Sequence, residues 1–297
     1  MSGSIDFRAG YVALVGRPNV GKSTLLNRLI GQKLSITSRK PQTTRQRVTG
    51  ILTLPNAQLL FVDTPGFQTR HDSALNRGMN RVVMQSLAQV DVVLFVIEAL
   101  RFSAEDAAVL NVLPAQRPAL LVINKIDKLV ERRLLLPFIK QMAERHAFAE
   151  IVPVSATKGH AVAELARTIS GYLPEQPAIY GADEITESSE RFLAAELIRE
   201  KLFRLLGDEL PYVSAVLIER FVMDGALRRI HASVIVDKDS HKGIVVGARG
   251  SQLKQIGTQA RMDMEKLFGG KVHLEVWVKV RRGWSESRQM LKRLGYA

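Results

Sequence analysis

Five short apolar runs rich in branched residues, at 11–15, 59–62, 92–97, 120–123 and 151–154, punctuate the first half of the chain. None alternates with polar residues, so each predicts a strand buried on both faces, and the longer mixed segments between them predict helices. Strands alternating with helices imply a parallel α/β sheet covered on both sides. Residues 48–54 add one more strand after an irregular stretch. Around 174–190 the pattern breaks, where Pro174, Pro177, Gly181 and an acidic polar run predict a linker. This divides the chain into a domain over 1–175, a linker over 176–190 and a second domain over 191–297.

In the second domain Ser189 offers an N-cap to a helix whose apolar face carries Phe192, Leu193, Leu197, Ile198, Leu202 and Leu205, and Gly207 closes it. Strands at 213–222 and 230–236 follow, joined through the turn signal Asp224-Gly225. Two helices flank Gly247 to Gly250, and a last strand covers 272–280. The order is helix, strand, strand, helix, helix, strand.

Composition narrows the classes. No apolar run approaches the ~18–20 residues that span a bilayer, and the start MSGSIDFRAG lacks the basic end and apolar stretch of a signal peptide, so a cytoplasmic protein is expected. The absence of cysteine excludes disulfides, thiolate metal sites and thiol nucleophiles. The net charge of +13 is uneven: 22 basic against 13 acidic residues over 1–180, 5 against 10 over 181–224, and 15 against 6 over 225–297. The basic C-terminal segment suits a polyanion, either nucleic acid or an anionic membrane surface, or else serves as a solubilising surface.

Four motifs supply candidate chemistry. Gly16, Arg17, Pro18, Asn19, Val20, Gly21, Lys22 and Ser23 form G-x-x-x-x-G-K-S after the first strand, with Thr24 entering the helix behind it. The glycines let successive N–H groups face a phosphate at a helix N-terminus; Lys22 reaches the β and γ phosphates, and the Ser23 hydroxyl can ligate Mg²⁺. Asp63, Thr64, Pro65 and Gly66 follow the second run, where Asp63 can hold the metal through water and the Gly66 N–H can meet the γ-phosphate. Asn124, Lys125, Ile126 and Asp127 form the most specific piece. A carboxylate in the plane of a purine accepts from N1–H and the 2-amino group of guanine, so Asp127 selects GTP over ATP, while Lys125 lies along the base. Ser155 and Ala156 complete the set, the Ala156 N–H reaching the guanine carbonyl oxygen.

These motifs, with KSTLLNRLIGQK, SITSRKPQTTR and the ending GW…LGY, carry a resemblance. The first ~175 residues resemble Ras-related GTPases of the bacterial ribosome-assembly branch, and the whole chain resembles the Era family. The resemblance implies a Ras-like P-loop GTPase domain followed by an α+β type II KH domain. It also implies a switch threonine on Mg²⁺, for which Thr44 is favoured and Thr43 is the alternative. The stretch 37–47 reads as a loop ordered by the γ-phosphate, and the segment after Gly66, through Asn76 and Gln85, as a second switch. Ras-like enzymes orient the attacking water with a glutamine where this chain has Phe67. Slow intrinsic turnover, accelerated by a partner, is therefore expected. Related GTPases with an apolar residue there use K⁺ held by a phosphate-loop asparagine; Asn19 either does this or only stabilises the loop.

Gly247, Ala248, Arg249 and Gly250 resemble the G-x-x-G loop of a KH domain, which implies a clamp for about four nucleotides of single-stranded RNA. The helix after it carries Leu253, Ile256, Ala260, Met264 and Leu267, and Lys242, Arg249 and Lys254 would neutralise phosphates. Trp277, on a strand, is expected in the core; Trp284 either contacts RNA or packs the C-terminal helix. The resemblance implies GTP and GDP as ligands, the 3′ end of 16S ribosomal RNA and the small ribosomal subunit as partners, and a monomer with no DNA target. Two alternatives remain open here: an RNA-binding module with incidental hydrolysis, and a GTPase of membrane or cell-cycle function in peripheral contact with the inner membrane.

Overall fold

The computed structural model describes residues 7–38, 40, 43–67, 74–207 and 209–296. Parts of three segments singled out above lie outside the described residues: 1–6, then Arg39, Pro41 and Gln42 of the first switch stretch, and 68–73 of the second. The chain forms two compact units, one of Met1–Ser35, Thr44–Asp72 and Met79–Glu187, the other of Ile36–Thr43, Ser73–Gly78 and Ser188–Ala297.

The first unit is built on a six-stranded sheet. Its strands are β1 (Arg8–Val15), β2 (Val48–Leu54), β3 (Ala57–Asp63), β4 (Val92–Glu98), β5 (Ala119–Asn124) and β6 (Glu150–Pro153), in the order β2-β3-β1-β4-β5-β6. All neighbours are parallel except β2, which runs antiparallel to β3, so the sheet is mixed at one edge. The intervening helices are α1 (Lys22–Ile30), α2 (Ala74–Gln89, which belongs to this unit from Met79 onward), α3 (Ala104–Leu110), α4 (Leu135–Ala143) and α5 (Val162–Ser170). Every residue of β3 and β5 is buried, as continuous apolar runs require. Because β1 lies between β3 and β4, successive connections leave it in opposite directions, which opens a crevice at its C-terminal end.

The segment expected as a linker runs as an extended strap along this unit as far as Glu187. Ala9 N–H donates to Pro174 O (3.2 Å), and Ile51 N–H on the edge strand β2 donates to Ile185 O (2.9 Å). The fully buried Gln58 amide fixes the middle, giving a bond to Tyr180 O and accepting from the N–H groups of Ile179 and Tyr180. The strap thus satisfies polar backbone that an edge strand would otherwise present.

The second unit contains α6 (Glu190–Leu205), β7 (Ser214–Asp224), β8 (Leu227–Val236), α7 (Asp239–Val246), a 3₁₀ turn over Ala248–Gly250, α8 (Ser251–Phe268), β9 (Val272–Val280) and α9 (Arg288–Arg293). Ser189 caps α6 by accepting from Phe192 N–H at 3.2 Å. The sheet order is β7-β8-β9, antiparallel then parallel, with a bulge between Ile218 and Arg220. Ile198, Leu202, Ile230, Ala232, Val234, Ile256, Ala260 and Met264 fill the core between sheet and helices.

Two findings correct the sequence reading. Trp277 is 43% exposed rather than in the core, because Val272, Leu274, Val276, Val278 and Val280 take the core side of β9 and strand alternation turns Trp277 to the other. On α6 Leu193, Leu197, Ile198 and Leu202 of the apolar stripe are buried and Phe192 and Leu205 half-buried, yet Glu196, Arg199, Glu200 and Lys201 are buried as well. The choice left open for Trp284 is decided for packing: it is buried and its indole N–H donates to Val213 O at 3.0 Å.

Candidate functional site

The crevice beside β1 is lined by loops that the motifs dictate. The chain leaves β1 at Val15, turns through the loop from Gly16 to Gly21 and enters α1 at Lys22. Gly21 has φ +104°, and a Cβ there would stand 2.3 Å from the Asn124 side-chain nitrogen, so only glycine lets the two motifs close on each other. Asn19, exposed at the loop tip, has φ +63°. Pro18 lies directly against Gly66, where a Cβ would come within 2.9 Å of its backbone. Val20 is wholly buried, and its carbonyl accepts from Asn124 Nδ2 (2.9 Å).

The Arg17 side chain is not aimed along the loop. Its side chain is buried in a pair with Asp106 (3.1 Å) and Glu98 (3.2 Å), so its part in the loop is confined to the backbone. Asp106 also closes the capping box of α3 with Ser103, which ties that helix to the loop.

Lys22 is buried, its ammonium donating to the carbonyls of Gly16 (2.9 Å) and Arg17 (3.0 Å). Burial lowers its pKa to about 8, with Arg17 pushing the same way and Asp63 and Asp106 opposing. The fully buried Asp63 is shifted the other way: burial raises its pKa, against the pull of Lys22 and of hydroxyl donors. Asp63 Oδ2 accepts from Ser35 (2.6 Å), Ser23 (2.7 Å) and Thr44 (3.1 Å), and the Ser23 and Thr44 oxygens are 2.9 Å apart. Asp63 Oδ1 is buried with no hydrogen-bond partner among the described residues. Hydroxyls and a carboxylate at one point, with an oxygen still to be satisfied, form the all-oxygen donor set that suits Mg²⁺. Thr44 is the threonine brought to this point; the Thr43 carbonyl instead accepts from Arg199 within the second unit. Thr24 lies half-buried in the first turn of α1.

Thr64 is buried with its hydroxyl on Leu14 O (2.7 Å), and Pro65 and Gly66 are buried beyond it. Phe67 packs on the apolar cluster of the sheet and carries no group that could orient water. At the other end of the crevice Asn124 Oδ1 accepts from the N–H groups of Lys125 (2.8 Å) and Ala156 (3.0 Å). Asp127 is exposed and oriented by the Ser155 hydroxyl at 2.5 Å. Lys125 pairs with Glu98 at 3.0 Å. Burial alone would raise the Glu98 pKa, but Lys125 and then Arg17 outweigh it and hold this carboxyl below its usual range.

Sequence reasoning missed Ser35, Glu98, Asp106 and Arg28, the last donating to Ala156 O (3.1 Å) and Thr157 O (2.5 Å) and so shaping the Ser155-Ala156 loop. Glu98 and Asp106 lie outside every motif, Arg28 and Ser35 stand in the quoted stretches 22–33 and 35–45 without a role assigned to them, and each acts on a partner far away in sequence.

In the second unit the turn after α7 is built on Gly247 (φ +72°) and Gly250 (φ +80°). A Cβ on Gly247 would meet Gln252 at 2.6 Å, whereas Gly250 faces open space. Ala248, Arg249, Lys242 and Lys254 are exposed, and among the described residues no carboxylate pairs with any of the three cations. The arrangement is a free cationic rim around a turn whose backbone can be approached closely.

Comparison with known proteins agrees with both halves. A family model described as 50S ribosome-binding GTPase matches residues 11–125, and one described as KH domain matches 209–285. GTPase Era of Nitrosomonas eutropha is 57% identical over 290 residues, 98% of each chain. GTPase Era of Chromobacterium violaceum is 55% identical, over 97% of this chain and 98% of its own. Among solved structures, a point variant of Aquifex aeolicus Era bound to GDP·AlF₄⁻ superposes with a TM-score of 0.94 at 41% identity, covering 98% of this chain and 100% of that one. Era in complex with MgGDPNP and nucleotides 1506–1542 of 16S ribosomal RNA matches with the same score and identity, over 98% and 99%.

Proposed function

Because the chain belongs to the Era family of GTPases, we propose that it is a GTP-hydrolysing switch that binds the 3′ end of 16S ribosomal RNA and serves maturation of the small ribosomal subunit in the cytoplasm. The observation that carries the reading is the convergence of Ser23, Thr44 and Asp63 at the junction of the phosphate loop and α1. A relative that matches over the whole chain binds MgGDPNP and that RNA together, which supports both halves.

In this reading the backbone N–H groups between Gly16 and Ser23, other than at Pro18, cradle the β and γ phosphates, and Lys22 exchanges its two carbonyl acceptors for phosphate oxygens. Ser23 and Thr44 would hold Mg²⁺ directly and Asp63 through water; bound there, Mg²⁺ neutralises charge on the β and γ oxygens. The Gly66 N–H meets the γ-phosphate. Asp127 reads the N1–H and 2-amino group of guanine, with Lys125 along the base and Asn124 joining base motif to phosphate loop. With Phe67 where a water-orienting glutamine would stand, turnover by the free protein is slow. We expect K⁺ to assist at Asn19; equal GTPase rates in K⁺ and Na⁺ buffers would remove that role. Gly247, Ala248, Arg249 and Gly250, with Lys242 and Lys254, form the RNA clamp.

Crosslinking of the protein to RNA in its native cells, followed by sequencing, tests the proposal, with Ala248→Asp/Arg249→Asp as the control. These two positions are exposed, so the control leaves the glycine backbone intact. Enrichment of the 16S 3′ end that disappears in the control is expected; enrichment of a different RNA would overturn the assigned target.

A further inference from the structure

In the sheet of the second unit, α6, α7 and α8 pack against one of the two faces. Ile230, Ala232 and Val234 of β8 and Val276 and Val278 of β9 face the core. Strand alternation places Arg229, His231 and Ser233, then His273, Glu275, Trp277 and Lys279, on the opposite face. The bulge between Ile218 and Arg220 resets β7, so that Arg220 pairs with His231 while Phe221 keeps to the core. One end of this far face is closed: Ala215, Ser233 and Ile235 are buried, and Glu219 accepts from Ser233 (2.8 Å) and Lys279 (2.6 Å). The other end is open around Trp277.

There a diagonal stripe crosses all three strands. Arg220 on β7 is opposite His231 on β8, and the His231 ring meets the Trp277 indole edge-on with centroids 5.5 Å apart. An indole 43% exposed on a strand is costly surface to leave in water. The cations nearby divide into two kinds. Lys279 and Arg229 are engaged with Glu219 and Asp224, whereas no carboxylate pairs with the exposed Arg220 among the described residues. An aromatic plane, an imidazole and a free guanidinium in one row fit nucleobases and a phosphate far better than they fit an apolar protein surface.

The stripe also adjoins the clamp. β9 is an edge strand; its residue Val276 lies beneath Gly257 of α8, at 3.9 Å from where a Cβ would be, on the face that carries α7, α8 and the turn from Gly247 to Gly250. The next residue, Trp277, is on the reverse face of the same edge strand. A strand of RNA leaving the clamp along β9 need only pass around that edge to reach the indole.

We propose that the open face at Trp277, His231 and Arg220 is a second single-stranded RNA subsite, which stacks a base of the segment flanking the one held by the clamp. The inference rests on the RNA reading above and extends it by an adjoining nucleotide subsite. Trp277 supplies the stacking plane, His231 braces it, and Arg220 meets the phosphate.

The two tryptophans make the test direct, since Trp284 is buried and Trp277 is open to solute quenchers. Binding to full-length protein is titrated with an RNA of 16S nucleotides 1506–1542 and with versions trimmed stepwise from each end. The full RNA is expected to change Trp277 fluorescence and shield it from acrylamide, while trimming on one side abolishes that change before it abolishes binding. Trp277→Ala should weaken the full RNA about tenfold and leave the shortest binding fragment within about twofold. Trp277→Phe should recover most of the loss, and Arg220→Ala should lower both affinity and its salt dependence. Unchanged affinity in Trp277→Ala and Arg220→Ala, or an indole still fully quenchable at saturating RNA, overturns the subsite. So does a Trp277→Ala protein that binds RNA normally but loses ribosomal particles, since that outcome makes the face a protein contact. Failure of the wild type to bind this RNA, or equal binding by Ala248→Asp/Arg249→Asp, overturns the parent reading instead.

Discussion

Asp127 stands exposed at the mouth of the crevice with one oxygen oriented by Ser155, which leaves the carboxylate aimed and available. Asp127→Asn converts an acceptor pair into an acceptor and a donor. GTP should then bind on the order of 10²-fold more weakly while xanthosine triphosphate gains, as read by competition against a fluorescent guanine nucleotide. Glu98 bears on the same site from behind, holding Arg17 and Lys125 at once. Its carboxyl is depressed in the folded protein, so between its folded and ordinary values the unfolded chain binds more protons. The stability it contributes is therefore present above the ordinary glutamate range, about pH 4.3, and is lost as pH falls through the depressed value. Urea midpoints of wild type and Glu98→Gln should converge as the solution is acidified below that range; a constant gap would dismiss the assignment. Asp127 was legible in the sequence because its meaning is carried by its immediate neighbours, Asn124 and Lys125. Glu98 was not, because it lies 81 residues from Arg17 and only the adjacency of strand ends makes them partners.

At the scale of elements, α6 shows how far a periodic pattern reaches. Its Ser189 cap and apolar stripe follow from local chemistry and form as expected. The burial of Glu196, Arg199, Glu200 and Lys201 does not, since charged residues on a helix ordinarily mark a solvated face. Within the second unit these charges are neutralised in place: Arg199 forks onto both oxygens of Glu196 at 2.7 Å, and Lys201 pairs with Glu200 and Asp263. The Glu200 carboxylate also accepts from the Thr37 backbone at 3.3 Å. Removing one partner strands a buried charge, so Arg199→Met should cost about 3–5 kcal/mol in urea unfolding, whereas Glu196→Gln/Arg199→Met should restore much of it. Equal losses in single and double variants would show that the pair is not what holds this face.

At the scale of the whole molecule, the nucleotide residues all belong to the first unit and the clamp to the second, so the two chemistries are separable by substitution. Lys22→Ala should abolish nucleotide affinity with RNA binding in the nucleotide-free state unchanged, and Ala248→Asp/Arg249→Asp should do the reverse, with GTP affinity held within about twofold. Calorimetric titration of both variants with both ligands checks the pairing. What the sequence determined by itself is whatever a contiguous segment carries: the strands as apolar runs, the helix caps, the glycine turns and the four nucleotide motifs with their order. These are set by side-chain periodicity and backbone freedom within a few residues, and they predicted the strands of the structure to within three residues at either end. Tertiary structure alone decided which groups meet. It brought Ser35 to Asp63, turned Arg17 away to Asp106, chose Thr44 over Thr43, and buried four charges on α6 while leaving Trp277 in solvent. Each of those outcomes depends on which strand ends and faces lie side by side, a relation between segments distant in the chain that no local pattern encodes.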